Sequence, residues 1–310
     1  MPTIRGDSIA RFLELWREQF DGHRVIVVED NPDKTFDLPP HVEHYSWRDV
    51  DLDLGPDAWI IPRRTDCIRS YGFYKANLSE PEIVITLDDD CYPIEGTSLV
   101  DEHVQALSSR AESDAWVATG AGTRTRGMPY LSTRRNNVTA INHGLWEGVV
   151  DLDAMTALAM SPGEVDFQPV EQVVPRGSYF PMCGMNLAFS GAATPIMYFL
   201  LMGQSWPFDR FGDIWCGVIA KRICDHLGWA VRSGRPFVHH ARASNVWSNL
   251  RKESPGYEVN ESFWLAVDEI QLTGTTAQGC YKEIAQQLPL KGDYWEALRR
   301  AMVTWSNLFA

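Results

Sequence analysis

The chain has 310 residues, of which 45% are hydrophobic and 22% charged, an ordinary composition for a soluble globular protein. Its net charge of -13 argues against a nucleic-acid or anionic-membrane partner, because either would favour a basic surface. The six cysteines form no C-x-x-C pair, no apolar run approaches the roughly 20 residues of a membrane span, and no signal-peptide core is present. We therefore predict a cytoplasmic protein with reduced thiols.

The first predicted elements alternate between helix and strand. SIARFLELWREQF (8–20) places its apolar side chains on one helical face, and HRVIVVEDNP (23–32) predicts a buried strand that ends in an acidic loop. DAWIIPRR (57–64) and EIVITLDDD (82–90) predict two further strands, the second buried on both faces. Strands separated by helical stretches predict an α/β fold with a mostly parallel central sheet.

The second half of the chain predicts fewer strands. Residues 120–180 are rich in Gly, Arg, Asn and Pro and indicate irregular loops with short strands. AATPIMYFLLMG (192–203) and DIWCGVIAKRICDHLGW (213–229) predict two helices, the second closed by Gly228, and DYWEALRRAMVTWSNLF (293–309) predicts a terminal helix. Since we find no repeat or low-complexity linker, we expect one domain over residues 1–310.

Three consecutive aspartates, Asp88, Asp89 and Asp90, follow the third strand, where α/β sheets bind their ligands. Their mutual repulsion calls for a positive partner. If the strand continues through them, Asp88 and Asp90 share one face and suit a hard cation such as Mg²⁺ or Mn²⁺. This is the D-x-D arrangement of sugar-nucleotide glycosyltransferases, in which the metal neutralises the diphosphate. A solvated acidic turn and a helix cap are the alternatives.

Further ligands are available in FVHHARASN (237–245). Alternate strand residues face opposite ways, so one of His239 and His240 is expected to reach the metal. The basic residues nearby, Arg242, Arg251 and Lys252, are candidates for holding diphosphate oxygens. A solvated basic surface is an equally good interpretation of these three.

Several segments together resemble one family. They are PTIR, RSYGF, ITLDDDC, YLSTRR, TAINHGLW, SYFPMCGMNLAF, MYFLLMG, DIWCGVIAKRICDHLGW, RASNVWSNLRKE and AMVTWSN, in this order. The resemblance is to the reversibly glycosylated polypeptides of plants, which are UDP-arabinopyranose mutases, and it spans essentially the whole chain. It implies a glycosyltransferase A-like single domain. It also implies interconversion of the pyranose and furanose forms of a nucleotide-linked sugar, with a divalent metal (Mn²⁺ or Mg²⁺) and no flavin.

The resemblance also implies roles for individual residues. Arg134 matches the family's glycosylated arginine and is the candidate nucleophile, with electrostatic binding of the diphosphate as the alternative. The late histidine of the family matches His240, so we expect the metal ligands to be Asp88, Asp90 and His240. Asp213 is a candidate base or sugar-orienting group, or else a carboxylate that favours the helix dipole.

Residues expected on the nucleotide and sugar side follow from strand-end position, family match or chemistry; they are Thr3, Arg5, Asp30, Arg69, Asp88, Asn186 and Lys252. Asn186 is expected to bind a sugar hydroxyl, because a buried amide needs partners. The chain departs from the plant pattern at Gly212-Asp213, Arg135-Asn136 and Glu29-Asp30-Asn31, which leaves the substrate open.

The loop Glu29-Asp30-Asn31 gives an indication of which nucleobase the protein binds. Guanine presents two adjacent donors that suit a carboxylate, so the extra acid Glu29 favours a GDP-linked hexose such as GDP-L-galactose, unless Glu29 is simply solvated. The alternatives are a UDP-L-arabinopyranose mutase, a retaining glycosyltransferase and a self-glycosylating protein. A homo-oligomer is among the options for the assembly.

Overall fold

A computed structural model describes residues 1–114, 116, 125–132, 134–160, 167–241 and 245–310. The strands are β1 (Pro2–Thr3), β2 (Val25–Glu29), β3 (Val42–Tyr45), β4 (Ile83–Leu87), β5 (Cys91–Tyr92), β6 (Arg110–Asp114), β7 (Arg134–Gly148), β8 (Gln172–Val173), β9 (Asn186–Ser190) and β10 (Ala230–His240). The helices are α1 (Gly6–Phe20), α2 (Trp47–Leu54), α3 (Arg69–Asn77), α4 (Leu99–Ser108), α5 (Ala154–Ala159), α6 (Gly212–Leu227), α7 (Val246–Glu253), α8 (Tyr257–Asp268), α9 (Ala277–Gln287) and α10 (Asp293–Asn307). Short 3-10 helices cover Gly55–Ile60, Asp66–Ile68, Gly191–Ile196 and Ser254–Gly256.

The elements with the clearest patterns form as predicted. Helix α1 buries Ile9, Phe12, Leu13 and Trp16, the apolar face that its sequence shows. Helix α6 ends at Gly228, which adopts the left-handed conformation (φ 72°) that favours glycine at a helix end. The predicted strands β2 and β4 and the terminal helix α10 are also confirmed.

Within the described residues the strands form two sheets. A three-stranded parallel sheet has the order β1-β2-β3, and a seven-stranded sheet has the order β4-β9-β7-β10-β5, with β6 on β7 and β8 on β10. In the larger sheet β7 and β10 are parallel, whereas β9 runs antiparallel to both of its neighbours. The prediction of a mostly parallel central sheet is therefore wrong for this mixed sheet, because an apolar run indicates burial and not strand direction.

Three segments differ from their predicted structure. DAWIIPRR contributes to a 3-10 helix instead of a strand, and AATPIMYFLLMG forms the 3-10 helix Gly191–Ile196, with Pro195 inside it, followed by irregular chain. Residues 197–202 are at most 1% exposed, so their apolar character reflects burial without helical geometry. The middle of the chain contains the 15-residue strand β7 instead of short strands alone.

The packing leaves the aspartate triplet and His240 at one end of the large sheet. The core contains a cluster around α6, α9 and α10 and a second cluster that joins α1 to β2 and to the carboxyl-terminal parts of β7 and β10. Strands β4, β7 and β10 run in the same direction, so their carboxyl ends lie at a common edge. None of the described helices has the length and apolar content that crossing a bilayer requires.

Candidate active site at the aspartate turn

The three aspartates lie in a turn and not on a strand, since β4 ends at Leu87 and the Cys91 N–H donates to the Asp88 carbonyl (3.1 Å). Asp89 points inward, is 3% exposed, and accepts a 2.6 Å hydrogen bond from Thr3 Oγ1. The Arg5 guanidinium pairs with Asp89 and lies 3.8 Å from Asp90 Oδ2. Thr3 and Arg5 were expected to bind the nucleotide. In the structure both side chains bind the Asp89 carboxylate and so stabilise the aspartate turn.

Arg69 supplies the second positive charge. It is 3% exposed, and its Nη2 donates to Asp88 Oδ1 (2.5 Å) while Nη1 donates to Thr86 Oγ1 (3.0 Å) and to the Gly184 carbonyl (2.6 Å). Desolvation alone would raise the pKa of Asp88, but the charge and hydrogen bond of Arg69 outweigh it and lower that pKa. Because its guanidinium makes these internal contacts, we regard Arg69 as a positioning residue for Asp88 instead of a direct nucleotide ligand.

Gly184 connects Arg69 to Asp213. Its carbonyl accepts from Arg69, and its N–H donates to Asp213 Oδ2 at 3.0 Å. A side chain at this position would meet Arg69 Cζ at 3.1 Å and Phe199 Cε2 at 2.9 Å, so only glycine allows the contact. The aspartate turn and the start of α6 are therefore connected through two residues, Arg69 and Gly184.

Asp213 lies in the first turn of α6, as its sequence indicated, and also accepts from the Ile214 N–H (2.9 Å). Desolvation, followed by the negative charge of Asp66, raises the pKa of Asp213 to about 7, although Arg69 opposes the shift. A carboxyl with this pKa can both accept and donate a proton near neutral pH. Sequence reasoning missed Asp66, because no periodicity or motif marks it.

Lys252 belongs to the same polar region. Its Nζ lies 3.2 Å from Asp209 Oδ2, and beside it Arg210 Nε donates to Glu253 Oε1 (2.8 Å). Desolvation raises the pKa of Asp209, and the nearby charge of Asp66 adds to this effect, although Lys252 opposes it. The charge of Asp66 thus acts on two carboxyls, Asp213 and Asp209, and Asp209 is the ion-pair partner of Lys252. Arg242, the other basic candidate nearest to the histidines, lies outside the described residues.

His240 is placed beside the aspartates by strand pairing. It lies opposite Cys91 in the β10–β5 pair, and the Ala241 N–H donates to the Asp90 carbonyl (3.0 Å). Its Nδ1 is 2.7 Å from the Val149 carbonyl, which can only accept, so in the neutral imidazole Nδ1 carries the proton and Nε2 the lone pair. His239 is exposed, whereas His240 is buried, which matches the expected opposite orientation.

The donor set is incomplete as a metal cage. No group of three His, Cys, Asp or Glu side chains is arranged to hold a metal in the part of the chain that the structure describes. Mg²⁺ is commonly held by one or two carboxylates together with substrate phosphates. Asp88, Asp90 and His240 do not form a preformed three-ligand site, and their role as metal ligands stays a prediction.

Asn186 is not available to a sugar. It is fully buried, accepts from His103 Nε2 (3.0 Å), and donates to the carbonyls of Leu145 (3.0 Å) and Pro236 (2.9 Å). These bonds use both amide protons and the amide oxygen. The expectation that Asn186 binds a sugar hydroxyl is therefore wrong, and its partners are in the core.

The loop after β2 is also satisfied internally. Glu29 is fully buried and accepts from Asn31 Nδ2 (2.8 Å) and from the Thr35 backbone and hydroxyl, with His44 Nε2 at 2.9 Å. Asp30 accepts from Trp47 Nε1 (2.7 Å) and from the backbone of residue 65 (2.9 Å). Both carboxylates therefore stabilise the loop through internal hydrogen bonds. The argument that Glu29 binds guanine loses its basis, because its oxygens already have partners in the protein.

Arg134 is not brought to the aspartates. It begins β7, is exposed, and pairs with Glu112 at 2.7 Å. Strand register puts His143 level with Leu187, next to the end of β4, so Arg134 lies nine residues back along β7, about 30 Å for an extended strand. The structure therefore separates Arg134 from the turn, and its assignment as the nucleophile at this site is not supported.

Comparisons with known proteins identify the family of the chain over its whole length. The family model described as "Reversibly glycosylated polypeptide" matches residues 1–310. The chain is 35% identical to UDP-arabinopyranose mutase 3 of Arabidopsis thaliana and 36% identical to UDP-arabinopyranose mutase 1 of Oryza sativa subsp. japonica. Each alignment covers 98% of this chain and 88% of the relative. The resemblance predicted from the motifs is confirmed: the chain belongs to the reversibly glycosylated polypeptide family.

Proposed function

We propose that this protein is a nucleotide-sugar mutase that interconverts the pyranose and furanose forms of UDP-linked arabinose. The observation that carries the proposal is the 35% identity to UDP-arabinopyranose mutases over 98% of the chain. The internal use of Glu29 removes the sequence argument for GDP, so the uridine substrate becomes the main hypothesis and the GDP-hexose the alternative. A cytoplasmic location stays a prediction.

Ring contraction needs three events. The anomeric carbon leaves the phosphate, the sugar 4-hydroxyl replaces the ring oxygen, and the glycosyl phosphate forms again. A divalent ion held by Asp88, Asp90 and His240 would neutralise negative charge on the departing diphosphate. Arg69 keeps Asp88 ionised and oriented, and Arg5 with Thr3 holds the turn around it.

The exchange of ring oxygen for hydroxyl also moves a proton. The attacking 4-hydroxyl loses one, and the former ring oxygen gains one, so a group that both accepts and donates near neutral pH suits the step. Asp213, with a pKa of about 7, is the group we assign to this transfer. Its link through Gly184 to Arg69, which binds Asp88, supports a role for Asp213 next to the aspartate turn.

The test is incubation of the purified protein with UDP-arabinopyranose, Mn²⁺ and no acceptor, followed by chromatographic separation of the two ring forms. Furanose formation supports the mutase. Turnover that requires an added acceptor would indicate a glycosyltransferase, and a stable protein adduct alone a self-glycosylating protein. Calorimetric titration with UDP and GDP decides the base, since tighter binding of GDP would contradict the uridine hypothesis.

The metal assignment needs its own measurement. Chelation should abolish turnover, and Mn²⁺ or Mg²⁺ should restore it. The electron paramagnetic resonance signal of Mn²⁺ should change when UDP is added to the wild type, and this change should be lost in Asp90→Asn. His239→Ala, next to the proposed ligand, serves as the control. Full activity in metal-free protein would contradict the assignment.

Arg134 is proposed as a modification site, because it is exposed and matches the glycosylated arginine of the family. After incubation with UDP-arabinopyranose, intact-mass measurement should show a pentose adduct that is absent in Arg134→Ala and present in the control Arg135→Ala. The distance from the turn implies that UDP affinity changes less than about twofold in Arg134→Ala, under about 0.4 kcal/mol. An adduct that persists without Arg134 would contradict this.

A further inference from the structure

Two ion pairs join the segment before α6 to the end of α7. Asp209 and Arg210 are neighbours in the sequence, and so are their partners Lys252 and Glu253. Lys252 Nζ lies 3.2 Å from Asp209 Oδ2, and Arg210 Nε donates to Glu253 Oε1 at 2.8 Å. These pairs tie the start of α6, where Asp213 lies, to the helix that follows β10.

Glu253 holds the Arg210 side chain in one orientation. Glu253 is 5% exposed and accepts two further hydrogen bonds, from the Ala154 N–H (2.7 Å) and from the Tyr257 hydroxyl (2.8 Å). Its donors thus come from α5 and α8 as well as from Arg210, so the carboxylate has little freedom to move. An acceptor that is fixed in this way orients the guanidinium that it binds.

The outer nitrogens of Arg210 have no partner in the protein. Among the described residues only its Nε forms a hydrogen bond, and the side chain is 37% exposed. The two Nη groups therefore form an open fork, whose spacing suits two oxygens of one phosphate. Arg210 also has a left-handed backbone conformation (φ 65°), which is costly for residues other than glycine. Folding alone would favour glycine here, so the arginine side chain indicates a function.

The charges around Arg210 show that it lies at the end of the site where Asp213 is found. Burial alone would lower the pKa of Arg210, but the hydrogen bond and charge of Glu253 outweigh it, and the charges of Asp66 and Asp213 add to the rise. Desolvation and the charge of Asp66 raise the pKa of both Asp209 and Asp213. A phosphate that approached these carboxyls would be repelled unless a cation were present.

The arginines at the aspartate turn have other partners. Arg5 pairs with Asp89, and Arg69 donates to Asp88 and to the Gly184 carbonyl. Their charges offset those of the turn itself. The departing diphosphate gains negative charge when the glycosyl bond breaks, so its retention calls for a cation that is not committed to the turn.

We propose that the two Nη groups of Arg210 bind the terminal phosphate of the nucleoside diphosphate and retain it while the sugar is detached. This inference rests on the proposed mutase function, in which the same nucleotide must rejoin the sugar. Arg210 and Asp213 lie three residues apart, so they would act on adjoining parts of the substrate, the phosphate and the sugar.

The test measures binding of UDP, UMP and uridine by calorimetry with Mn²⁺ present. Arg210→Met should weaken UDP binding by about 10- to 100-fold, the loss expected for charged hydrogen bonds. Binding of UMP and uridine should change less than about twofold, because both lack the terminal phosphate. Arg210→Lys should lose nearly as much UDP affinity as Arg210→Met, because a single nitrogen that pairs with Glu253 no longer offers the fork.

Arg24→Met is the matched control. Arg24 also pairs with a glutamate, Glu43, through its Nε, and its side chain is 36% exposed, but it precedes β2 at the amino end of that strand. This variant should bind UDP as the wild type does. If the wild type prefers guanosine nucleotides, GDP, GMP and guanosine take the place of the uridine series.

UDP binding by Arg210→Met within about twofold of the wild type would overturn the proposal. Equal losses for UDP and UMP would overturn it too, because they would assign Arg210 to the nucleoside side or to the fold. Failure of the proposed function is seen separately in the wild type. A wild type that binds UDP but forms no furanose contradicts the mutase, whereas a selective loss of UDP binding in Arg210→Met would still establish the phosphate contact. A wild type that binds neither UDP nor GDP would contradict both.

Discussion

Arg69 is a buried cation whose three partners come from two separate parts of the chain, residues 86–88 and residue 184. Its desolvation is costly, and the ion pair with Asp88 and the bonds to Thr86 and Gly184 offset that cost. Removal of the guanidinium would leave a carboxylate, a hydroxyl and a carbonyl without this donor. The residue therefore links stability to the shape of the active site.

We expect Arg69→Met to lower the free energy of unfolding by about 1.5–3 kcal/mol, because it removes the charged hydrogen bonds of the buried guanidinium, while the Asp88 side chain, 38% exposed, keeps its contact with water. Thr86→Val, which removes only one of the three partners, should cost about 1 kcal/mol. Urea denaturation of both variants measures the difference. Equal losses would show that the ion pair contributes no more than a neutral hydrogen bond.

Asp213 should make both activity and stability depend on pH. Its folded pKa of about 7 lies above the ordinary value of 3.8, so folding disfavours its ionised form. The penalty is absent below about pH 4, grows between pH 4 and pH 7 where only the unfolded state is ionised, and stays constant above pH 7. Asp213→Asn should therefore gain stability over the wild type by about 1–3 kcal/mol between pH 4 and pH 8.

The same substitution should lower turnover by about 100-fold or more and remove the ionisation near pH 7 from the pH profile of the residual turnover, because asparagine cannot exchange the proton. Asp209→Asn, a neighbouring carboxyl that is not bonded to Gly184, is the control for a general change in charge. A wild-type profile that is flat from pH 6 to pH 8 would exclude Asp213 from the rate-determining proton transfer.

At the scale of elements, strands β7 and β9 approach each other so closely at Gly144 that no side chain fits at this position. A Cβ at Gly144 would lie 2.2 Å from Asn186 Nδ2, and Asn186 cannot move without losing its bonds to His103, Leu145 and Pro236. The close approach of the two strands therefore depends on glycine at 144 and on the amide at 186.

Gly144→Ala should lower the free energy of unfolding by about 2–3 kcal/mol through overpacking. Gly96→Ala is a matched control: Gly96 has φ 79° and nothing within 4 Å of its would-be Cβ, so only backbone strain of about 1 kcal/mol applies. Thermal or urea denaturation distinguishes them. A smaller loss for Gly144→Ala than for Gly96→Ala would contradict the packing argument.

At the scale of the whole molecule, the reactivity of the buried thiols measures how readily the core opens. All six cysteines are unpaired, and burial raises the pKa of Cys67, Cys91 and Cys216 well above the usual value. A raised pKa and lack of access both suppress the reactive thiolate.

We therefore expect fewer than one thiol per chain to react with Ellman's reagent within minutes at pH 8, and all six to react in guanidinium chloride. Cys183→Ser identifies any slow native reaction, because Cys183 is the least buried of the six. Rapid native labelling of several thiols would show that the core opens more readily than this packing implies.

The local sequence determined the elements whose periodicity is regular and the residues whose chemistry is unusual. Helices α1, α6 and α10, strands β2 and β4, the aspartate triplet and the opposite orientations of His239 and His240 all follow from spacing along a few residues, whereas the choice of His240 came from the family resemblance. The motifs also determined the family. These features depend on short-range geometry, which the order of residues specifies directly.

The tertiary structure alone decided how those elements meet. The bond from Thr3 to Asp89 joins residues 86 positions apart, and the contacts that occupy Arg69, Asn186 and Glu29 also come from distant or looped segments. Strand direction in the mixed sheet, the raised pKa of Asp213 beside Asp66, and the remote position of Arg134 are of the same kind. The sequence shows which hydrogen bonds a polar side chain can form. Only the folded chain shows which of its donors and acceptors are already occupied, because each side chain has a fixed number of them.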